Sequence, residues 1–329
     1  MKTQNTWIPH SLLKGILSSF IIGSGVYLLS PHLPLSNSIL LGFIVGILLA
    51  NLIKIPADFE PGITFTSGKL LELSLLFLAF SINYQNIRSL GLNSFFLLAI
   101  TIILVLLLTL YLAKKFNCPG STGWLVGFGT AICGSSAIAA LAPFVSKSKE
   151  DTGIALAVVN IMGSLAMLIL PLLIPIFGYS PEEMGILIGG SLHSVGNVAG
   201  AGYALSDQIG ETSITIKLAR VAMLSPSLIL FNYLVNSKSK KSWKEYLQLP
   251  WYLYGFVGIS IVVSLLPIPV ALIATMETLG KYILTIAMTA IGMKISISKL
   301  LLSGKKGILF GILLFVIQLS LLLVFIHLF

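Results

Sequence analysis

Two long runs of apolar residues without a single charge constrain what this chain can fold into. The runs are Phe95–Leu112 and Ile308–Phe325, and each approaches the ~20 apolar residues that a helix needs to cross a bilayer. Only 9% of all residues are charged, whereas a soluble domain has about 25%, and the mean hydropathy is +1.00. We therefore expect an all-α polytopic membrane protein in which residues 1–329 form one transmembrane domain within the lipid bilayer.

Hydropathy and turn residues together predict about eleven membrane spans. Their expected bounds are 11–30, 36–53, 64–82, 92–113, 120–145, 151–177, 182–204, 211–235, 250–267, 274–296 and 307–328. Ser180–Glu183, with Pro181 at the first helical position, forms a capping box that predicts a helix start, and Ser148–Asp151 predicts a second one. Asp207 and Glu211 are expected to cap the outer end of the eighth span. The first apolar run has no small-residue cleavage site, so we expect it to be retained as a span.

Basic residues are distributed unequally between the two ends of these spans. With the N-terminus inside, 14 Lys residues lie at inner ends, and three basic residues, Arg88, Lys147 and Lys149, lie at outer ends. The excess of inner Lys predicts a cytoplasmic N-terminus and an external C-terminus. No nucleic-acid interface is expected from the formal charge of +9, because the Lys residues are scattered over short loops without interleaved aromatic residues. The loop with Glu182 and Glu183 is an exception, since it falls on the inner side without Lys.

Two of the predicted spans are interrupted by polar, glycine-rich stretches. Cys133–Ser136 interrupts the fifth span, and His193–Asn197 interrupts the seventh. Each stretch begins ~12–16 residues into its span, near or somewhat past the bilayer midplane at about 1.5 Å per residue. Irregular backbone is tolerated at this depth only where protein or a water-filled cavity satisfies its polar groups. The alternative for both stretches is that small residues let neighbouring helices pack closely.

An unwound helix at these two points predicts an anion-binding site. The half-helix that follows each break would present free N–H groups and the positive end of its dipole. Four nearby side chains can donate further hydrogen bonds: Ser135, Ser136, Ser194 and Asn197. Gly196 is expected to let the backbone unwind. His193 is expected to contact the substrate or to couple transport to protons, since imidazole changes its charge near neutral pH.

Three charged residues inside predicted spans are further candidates for the site. Lys217 and Arg220 lie three residues apart on one helical face and are predicted to neutralise the charge of a bound anion. The alternative is that they extend to the outer membrane surface. Glu72 is a candidate for coupling, and it is expected to pair with Arg220, to carry a proton or to lie at the inner interface.

The sequence predicts no cofactor, metal site or catalytic residue. Cys118 and Cys133 have neither disulfide nor metal-ligand spacing, and without a phosphate-binding loop ATP is not expected to drive the chain directly. These observations favour secondary active transport of a small inorganic or organic anion. Three alternatives stay open. The first is a cation–proton antiporter that uses Glu72, and the second is an intramembrane enzyme in which Cys133, Ser135 and His193 resemble a nucleophile and its base. The third is a channel or a non-transporting membrane subunit. A homodimer is compatible with the sequence.

A weak internal similarity relates residues 68–83 to residues 280–294. The predicted topology places these two segments in opposite directions, as an inverted repeat requires. The same topology makes the two interrupted spans parallel, so they are not expected to be inverted copies of each other.

Three stretches occur in an order and spacing that are informative when they are taken together: Ile132–Ala140, Gly189–Gly202 and Lys217–Pro226. They resemble the YeiH-like sulfate exporter family of bacterial inner-membrane proteins, and the resemblance extends from about residue 40 to the C-terminus. It implies a multi-pass inner-membrane protein that exports a sulfate-like anion and is built from inverted repeats with interrupted helices. The chain departs from the family pattern at His193–Asn197, where the family has His-Glu-Val-Ala-Gln, and at Phe80–Ile82, where the family has Leu-Arg-Leu. The family's acid and base at these points are therefore not carried over.

Overall fold

The computed structural model describes residues 10–33, 37–53, 55–82, 91–116, 121–146, 148–235, 249–295 and 305–328. These residues form helices, turns and short connections and contain no β-strand, so the predicted all-α class is confirmed. Contacts between residues divide the chain into two compact units. Unit 1 comprises Met1–Ser81 and Gly258–Ile297, and unit 2 comprises Ile82–Val257 and Ser298–Phe329.

The α-helices follow the predicted spans. Their bounds are α1 His10–Leu29, α2 Ser38–Leu52, α3 Glu60–Phe65, α4 Leu71–Leu78, α5 Gly91–Lys115, α6 Thr122–Ala131, α7 Ser135–Val145, α8 Lys149–Leu173, α9 Pro181–Ser191, α10 Val195–Leu205, α11 Asp207–Ala222, α12 Leu224–Val235, α13 Trp251–Leu265, α14 Val270–Met293 and α15 Lys305–Leu328. Five helices of the described residues are long and apolar enough to cross a membrane, or up to six if α11 and α12, which meet at 43°, form one span. These helices support a polytopic membrane protein.

Turn residues set the starts of two helices as the sequence predicts. At the start of α9, Ser180 Oγ accepts a hydrogen bond from Glu183 N (3.3 Å), and Glu183 Oε2 accepts one from Ser180 N (2.7 Å). The predicted capping box is therefore confirmed. At the start of α8, Ser148 Oγ likewise accepts a hydrogen bond from Asp151 N (3.1 Å).

The start of α11 differs from the prediction. Its N-cap is Ser206 rather than Asp207 or Glu211, and Ser206 Oγ accepts a hydrogen bond from the backbone N–H of Ile209 (3.2 Å). Because a serine in extended backbone can cap the first turn, the helix already begins at residue 207, before the predicted bound.

Unit 1 is built around α14, which packs against α1, α2 and α4. Glycines bring α2 and α14 together, since a β-carbon on Gly46 would overlap Thr289 O and one on Gly292 would overlap Phe43 O. Close helix contacts of this kind are typical of small residues in membrane proteins.

Residues 68–81 of the first segment with internal similarity and the whole of the second segment belong to unit 1, and they pack side by side. Leu78 of α4 packs against Gly280 of α14, and Lys294 Nζ, just after α14, lies 3.5 Å from Ser67 Oγ. The segments therefore run in opposite directions, as the predicted topology requires. The inverted repeat itself stays a prediction, and residue 83 lies outside the described residues.

The interrupted segment 120–145 turns back on itself and does not run straight through, so the prediction of a full crossing is wrong. Both of its ends contact the first turn of α8. Ser121 Oγ donates a hydrogen bond to Asp151 Oδ2 (2.6 Å), and Ser146 Oγ lies 2.9 Å from Thr152 Oγ1. A continuous helix of this length would separate its ends by roughly 35 Å. The helices α6 and α7 therefore form a helical hairpin, the first hairpin.

The interrupted segment 182–204 also turns back on itself. A β-carbon on Gly185, near the start of α9, would lie 2.5 Å from Thr212 Cγ2 of α11, and one on Gly202, near the end of α10, would lie 2.9 Å from Gly210 Cα. Both ends of the segment thus lie beside the start of α11, although a continuous helix would place Gly185 and Gly202 about 25 Å apart. The helices α9 and α10 form the second hairpin.

The two hairpins enter unit 2 from opposite ends. The first hairpin begins and ends beside the first turn of α8, whereas the second hairpin follows the far end of α8, which has 25 residues. These ends are about 37 Å apart along the helix, which exceeds the hydrocarbon thickness of a bilayer, about 30 Å. Each hairpin helix has 10 or 11 residues and reaches about half of this distance. The prediction of two parallel crossings fails because a glycine-rich break permits a reversal of the chain as well as a kink.

The two hairpins bear on the predicted side of two loops. With the N-terminus inside, as the Lys distribution predicts, hairpins that do not cross would place Lys149 on the inner side and Glu182 and Glu183 on the outer side. Both loops would then follow the positive-inside pattern. Arg88 and Lys147 lie outside the described residues.

Cysteine labelling tests the reversed loops. In a variant whose native Cys118 and Cys133 are replaced by Ser, Glu182→Cys should react with a membrane-impermeant maleimide in intact cells, because this loop faces outward. Lys149→Cys should react only after the cells are permeabilised. Labelling in the reverse pattern would restore two full crossings and contradict both hairpins.

Candidate functional site

The tips of the two hairpins meet near the middle of α8. The first tip is the turn at residues 132–134, and the second tip is the turn at residues 192–194. Gly134 has a φ of +70°, which favours glycine, and a β-carbon there would lie 3.3 Å from His193 O of the second tip. Gly163 of α8 lies so close to the second hairpin that a β-carbon would overlap Asn197 Nδ2. The two interruptions expected from the sequence are thus present and adjacent.

The second interruption lies slightly before its predicted position. Residues 192–194 form the turn, whereas Gly196 is the second residue of α10. The prediction that Gly196 unwinds the backbone is wrong. Ser194 Oγ accepts a hydrogen bond from Asn197 N (3.1 Å), and this cap starts the helix before Gly196.

Lys217 of α11 lies between the two tips. It is 0% exposed, so the alternative that it extends to the membrane surface is wrong. Its Nζ donates hydrogen bonds to Ile132 O of the first tip and to Leu192 O of the second tip, both at 2.7 Å. The ammonium group therefore contacts backbone carbonyls of both hairpins.

Arg220 lies one helical turn further along α11 and also donates hydrogen bonds to backbone carbonyls of both hairpins, four in total. It is 1% exposed, so it does not extend to the surface either. Its Nη2 donates to Thr130 O and Ala131 O (2.9 and 3.0 Å), and its Nη1 donates to Gly189 O and Leu192 O (both 3.0 Å). All four acceptors are carbonyls at the ends of α6 and α9.

These carbonyls belong to the groups that a helix C-terminus leaves without an intrahelical partner. Each C-terminal end also carries a partial charge of about −0.5. Lys217 and Arg220 satisfy the carbonyls and offset both negative ends. A further orphan carbonyl, Gly190 O, accepts a hydrogen bond from Gln318 Nε2 of α15 (2.9 Å). The two cations thus hold the backbone of the site in place.

The N-terminal ends of α7 and α10 also lie at the tips and carry the opposite partial charge. The helix α7 has no side-chain cap, because its N-cap residue is Gly134. Ser135 is half-buried, and its Oγ donates to Asn160 Oδ1 of α8 (2.7 Å). Ser136 and Asn160 are exposed, and Ser164 of α8 is half-buried. We call Ser135, Ser136, Asn160 and Ser164 the polar face; Ser194, at the neighbouring tip, is also half-buried.

His193 is buried at the second tip with unused hydrogen-bonding capacity. Its ring stacks on Phe315 of α15 with 5.5 Å between ring centroids and 25° between ring planes. Neither ring nitrogen has a hydrogen-bond partner among the described residues. A buried polar group in this condition is costly and calls for a functional explanation. His193 therefore stays a candidate for contact with a substrate, a proton or a water molecule.

Glu72 lies in unit 1, where its Oε2 accepts a hydrogen bond from Lys69 Nζ (2.9 Å). Pairing with Arg220 was one of three expectations for Glu72, and it finds no support in the four hydrogen bonds of Arg220, which all go to carbonyls. Cys133 is buried with a free thiol, and Cys118 lies outside the described residues.

Two polar residues of the site were not predicted from the sequence. They are Asn160, which accepts from Ser135, and Gln318, which donates to Gly190 O. Both are amides within long apolar stretches of α8 and α15, where Asn and Gln side chains commonly form hydrogen bonds to neighbouring helices. This signal alone could have found them, because their partners are 25 and 128 residues away along the chain.

Comparisons with known proteins identify relatives along most of the chain. A family model described as "Conserved hypothetical protein 698" matches residues 14–311. A UPF0324 membrane protein of Bacteroides thetaiotaomicron is 31% identical over 289 residues, which cover 85% of this chain and 86% of the relative. The UPF0324 inner membrane protein YeiH of Escherichia coli K12 is 30% identical over 286 residues, which cover 85% and 82%. No solved structure matches the chain.

The resemblance to YeiH-like proteins is confirmed by these relatives. Their names and the apolar helices of the structure identify a multi-pass protein of the bacterial inner membrane. The chain belongs to the UPF0324 family, together with the inner membrane protein YeiH.

Proposed function

We propose that the protein is a secondary active transporter of a small anion, which binds at the tips of the two hairpins. The observation that carries the proposal is the meeting of four helix ends at one place. The two C-terminal ends are bound by Lys217 and Arg220, and the two N-terminal ends lie at the polar face and at Ser194. Interrupted helices at mid-depth are a common way for secondary transporters to form a substrate site.

The charges around the tips favour an anion. Each N-terminal helix end carries a partial charge of about +0.5 and each C-terminal end about −0.5, so the partial charges of the four ends cancel. The cations Lys217 and Arg220 therefore leave an excess of about two positive charges. Neither tip contains Asp or Glu. Because charges interact strongly where water is excluded, this excess attracts an anion. A sulfate-like oxyanion is the first candidate, from the resemblance to the exporter family.

Each candidate residue has a distinct role in this proposal. Ser136 and Ser194 donate hydrogen bonds to the anion together with the first N–H groups of α7 and α10, and Ser135 joins them when its hydroxyl turns from Asn160 Oδ1 to the anion. Gly196 lies in the first turn of α10 and presents its backbone N–H group, whereas the backbone N–H of Asn197 is bound by Ser194 Oγ, so Asn197 contributes its side-chain amide. Lys217 and Arg220 act on the anion through their charge, and His193 contacts the substrate or carries the coupling proton.

The same proposal fixes how the chain crosses the membrane. In the proposed topology, nine of the eleven predicted segments cross the bilayer and two enter it as hairpins without crossing. The N-terminus then lies in the cytoplasm and the C-terminus outside, as the Lys distribution requires.

A cation–proton antiporter is the weaker proposal. It needs a buried acid at the site, whereas the carboxylate of Glu72 forms a salt bridge with Lys69 in unit 1. An intramembrane enzyme is weaker still, because a glycine-rich tip with buried cations serves anion binding without any covalent step.

Counterflow into proteoliposomes tests the proposed function. Purified protein is reconstituted with a high internal concentration of sulfate, phosphate, chloride or a small carboxylate, and a trace of the same labelled anion is added outside. At least one anion should accumulate transiently, several-fold above protein-free liposomes. A pH-sensitive dye in the same vesicles reports cation-driven proton movement. Proton movement driven by cations, with no anion accumulated, would overturn the proposal in favour of the antiporter.

A further inference from the structure

Each of the two buried cations contacts both hairpins. Lys217 Nζ donates to Ile132 O of the first hairpin and to Leu192 O of the second. Arg220 directs Nη2 to two carbonyls of the first hairpin and Nη1 to two of the second. Two side chains on neighbouring turns of α11 therefore bridge hairpins that enter from opposite ends of unit 2.

Separation of the tips would be unfavourable. The carbonyls would lose charged donors in a place with little access for water, since both cations are at most 1% exposed. Removing one partner of a buried charged contact is strongly destabilising. The tips also touch directly, because Gly134 packs against His193 O. The first hairpin has its own closing hydrogen bond, from Gly134 N to Gly129 O (2.8 Å), which leaves the bridged carbonyls to the cations.

We propose that Lys217 and Arg220 are positioning residues that clamp the two tips together, and that the tips stay joined throughout transport. The clamp keeps the N-terminal ends of α7 and α10 at a fixed spacing. The anion is then carried by both hairpins as one body, and neither hairpin opens as a separate gate. The statement about transport rests on the proposed function, whereas the clamp is a property of the fold and can be tested without any anion.

The native thiol of Cys133 reports whether the tips are joined. It is 5% exposed and follows Ile132, whose carbonyl accepts from Lys217. In a Cys118→Ser background, Cys133 should react with N-ethylmaleimide at least 100-fold more slowly than an exposed thiol introduced by Ser136→Cys into protein that lacks both native cysteines. Lys217→Met should accelerate the reaction of Cys133 at least 10-fold in the absence of any anion. The matched control is Lys149→Met, which removes an exposed cation and should leave the rate unchanged.

Two further measurements keep the proposal testable if Lys217→Met does not fold. Arg220→Lys keeps the charge without the planar fork, and it should accelerate the reaction of Cys133 by a smaller factor. In the protein with the intact clamp, sulfate exchange across the proteoliposome membrane should leave the rate unchanged. A faster reaction of Cys133 during sulfate exchange would show that the tips separate during transport. It would overturn the proposal that both hairpins move as one body.

The outcomes separate this inference from the proposed function. Folded Lys217→Met protein whose Cys133 is as unreactive as before would show that the tips hold without the cation, and the clamp would be abandoned. Rapid reaction of Cys133 in Lys217→Met would support the clamp. If the unmodified protein at the same time shows no counterflow of any anion, the clamp would stand and the proposal of anion transport would be overturned.

Discussion

Replacement of Ser136 by Asp is expected to weaken anion uptake by about 100-fold while the protein stays folded. Ser136 is the second residue of α7 and is exposed on the polar face. A carboxylate at a helix N-terminus stabilises the helix by about 0.3–1 kcal/mol, so the variant should be at least as stable as the parent. The same carboxylate repels an anion about 5 Å away by roughly 3 kcal/mol at an effective dielectric constant of about 20. Since about 1.4 kcal/mol is tenfold in affinity, the loss approaches two orders of magnitude.

The matched control for this prediction is Ser136→Asn, which has nearly the same size and polarity without the charge. Initial rates of labelled anion uptake over a range of concentrations should show the loss mainly as a raised KM in Ser136→Asp. Thermal stability, measured by size-exclusion chromatography of heated detergent extracts, should be the same or higher. Equal uptake by the Asp and Asn variants would place the anion away from the N-terminus of α7.

The positions of the hairpin tips could be predicted from residue types alone. Clusters of glycine and short polar residues are unfavourable in a continuous helix that faces lipid. The stretches Cys133–Ser136 and His193–Asn197 therefore indicate where the helix is interrupted. The same kind of local chemistry predicted the start of α9 at Ser180. These features depend on neighbours within a few residues, and sequence reasoning treats such neighbours well.

The direction of the chain after each break could not be derived in this way. Continuation and reversal begin with the same glycine-rich turn, and the choice depends on contacts such as Ser121 with Asp151, which are 30 residues apart. An indirect signal was present in the sequence. Lys149 and the Glu182 loop both depart from the positive-inside pattern if every segment crosses, and both would follow the pattern if the two hairpins reverse within the membrane.

The partners of the buried cations were also beyond the sequence. Lys217 and Arg220 were expected to face an anion, because a charge at this depth needs a partner. Their partners are backbone carbonyls from segments 25 to 90 residues away. A carbonyl acceptor is present at every residue, so it leaves no trace in the residue types that a sequence can show.

Arg220→Met is expected to prevent the accumulation of folded protein, rather than to stop transport in a folded one. Leu192 O keeps Lys217 as a donor, so three carbonyls lose their only cation: Thr130 O, Ala131 O and Gly189 O. Each buried polar group left unsatisfied costs about 1–3 kcal/mol, which gives roughly 3–9 kcal/mol in total. This loss is comparable with the whole stability of a typical domain, about 5–15 kcal/mol. Arg220→Lys should recover part of it, because an ammonium group keeps the charge but not the planar fork.

Size-exclusion chromatography of detergent extracts, before and after heating, measures this effect. Lys149→Met is the control, since Lys149 is exposed at the start of α8 and surface changes of this kind usually stay within about 0.5 kcal/mol. The amount of folded protein and its Tm should fall from Lys149→Met to Arg220→Lys to Arg220→Met. If Arg220 were instead a direct ligand of the anion, all three variants would fold equally well without anion and only uptake would fall. Folded Arg220→Met with an unchanged Tm and no uptake would therefore make Arg220 a ligand and leave the tips to be held by other contacts.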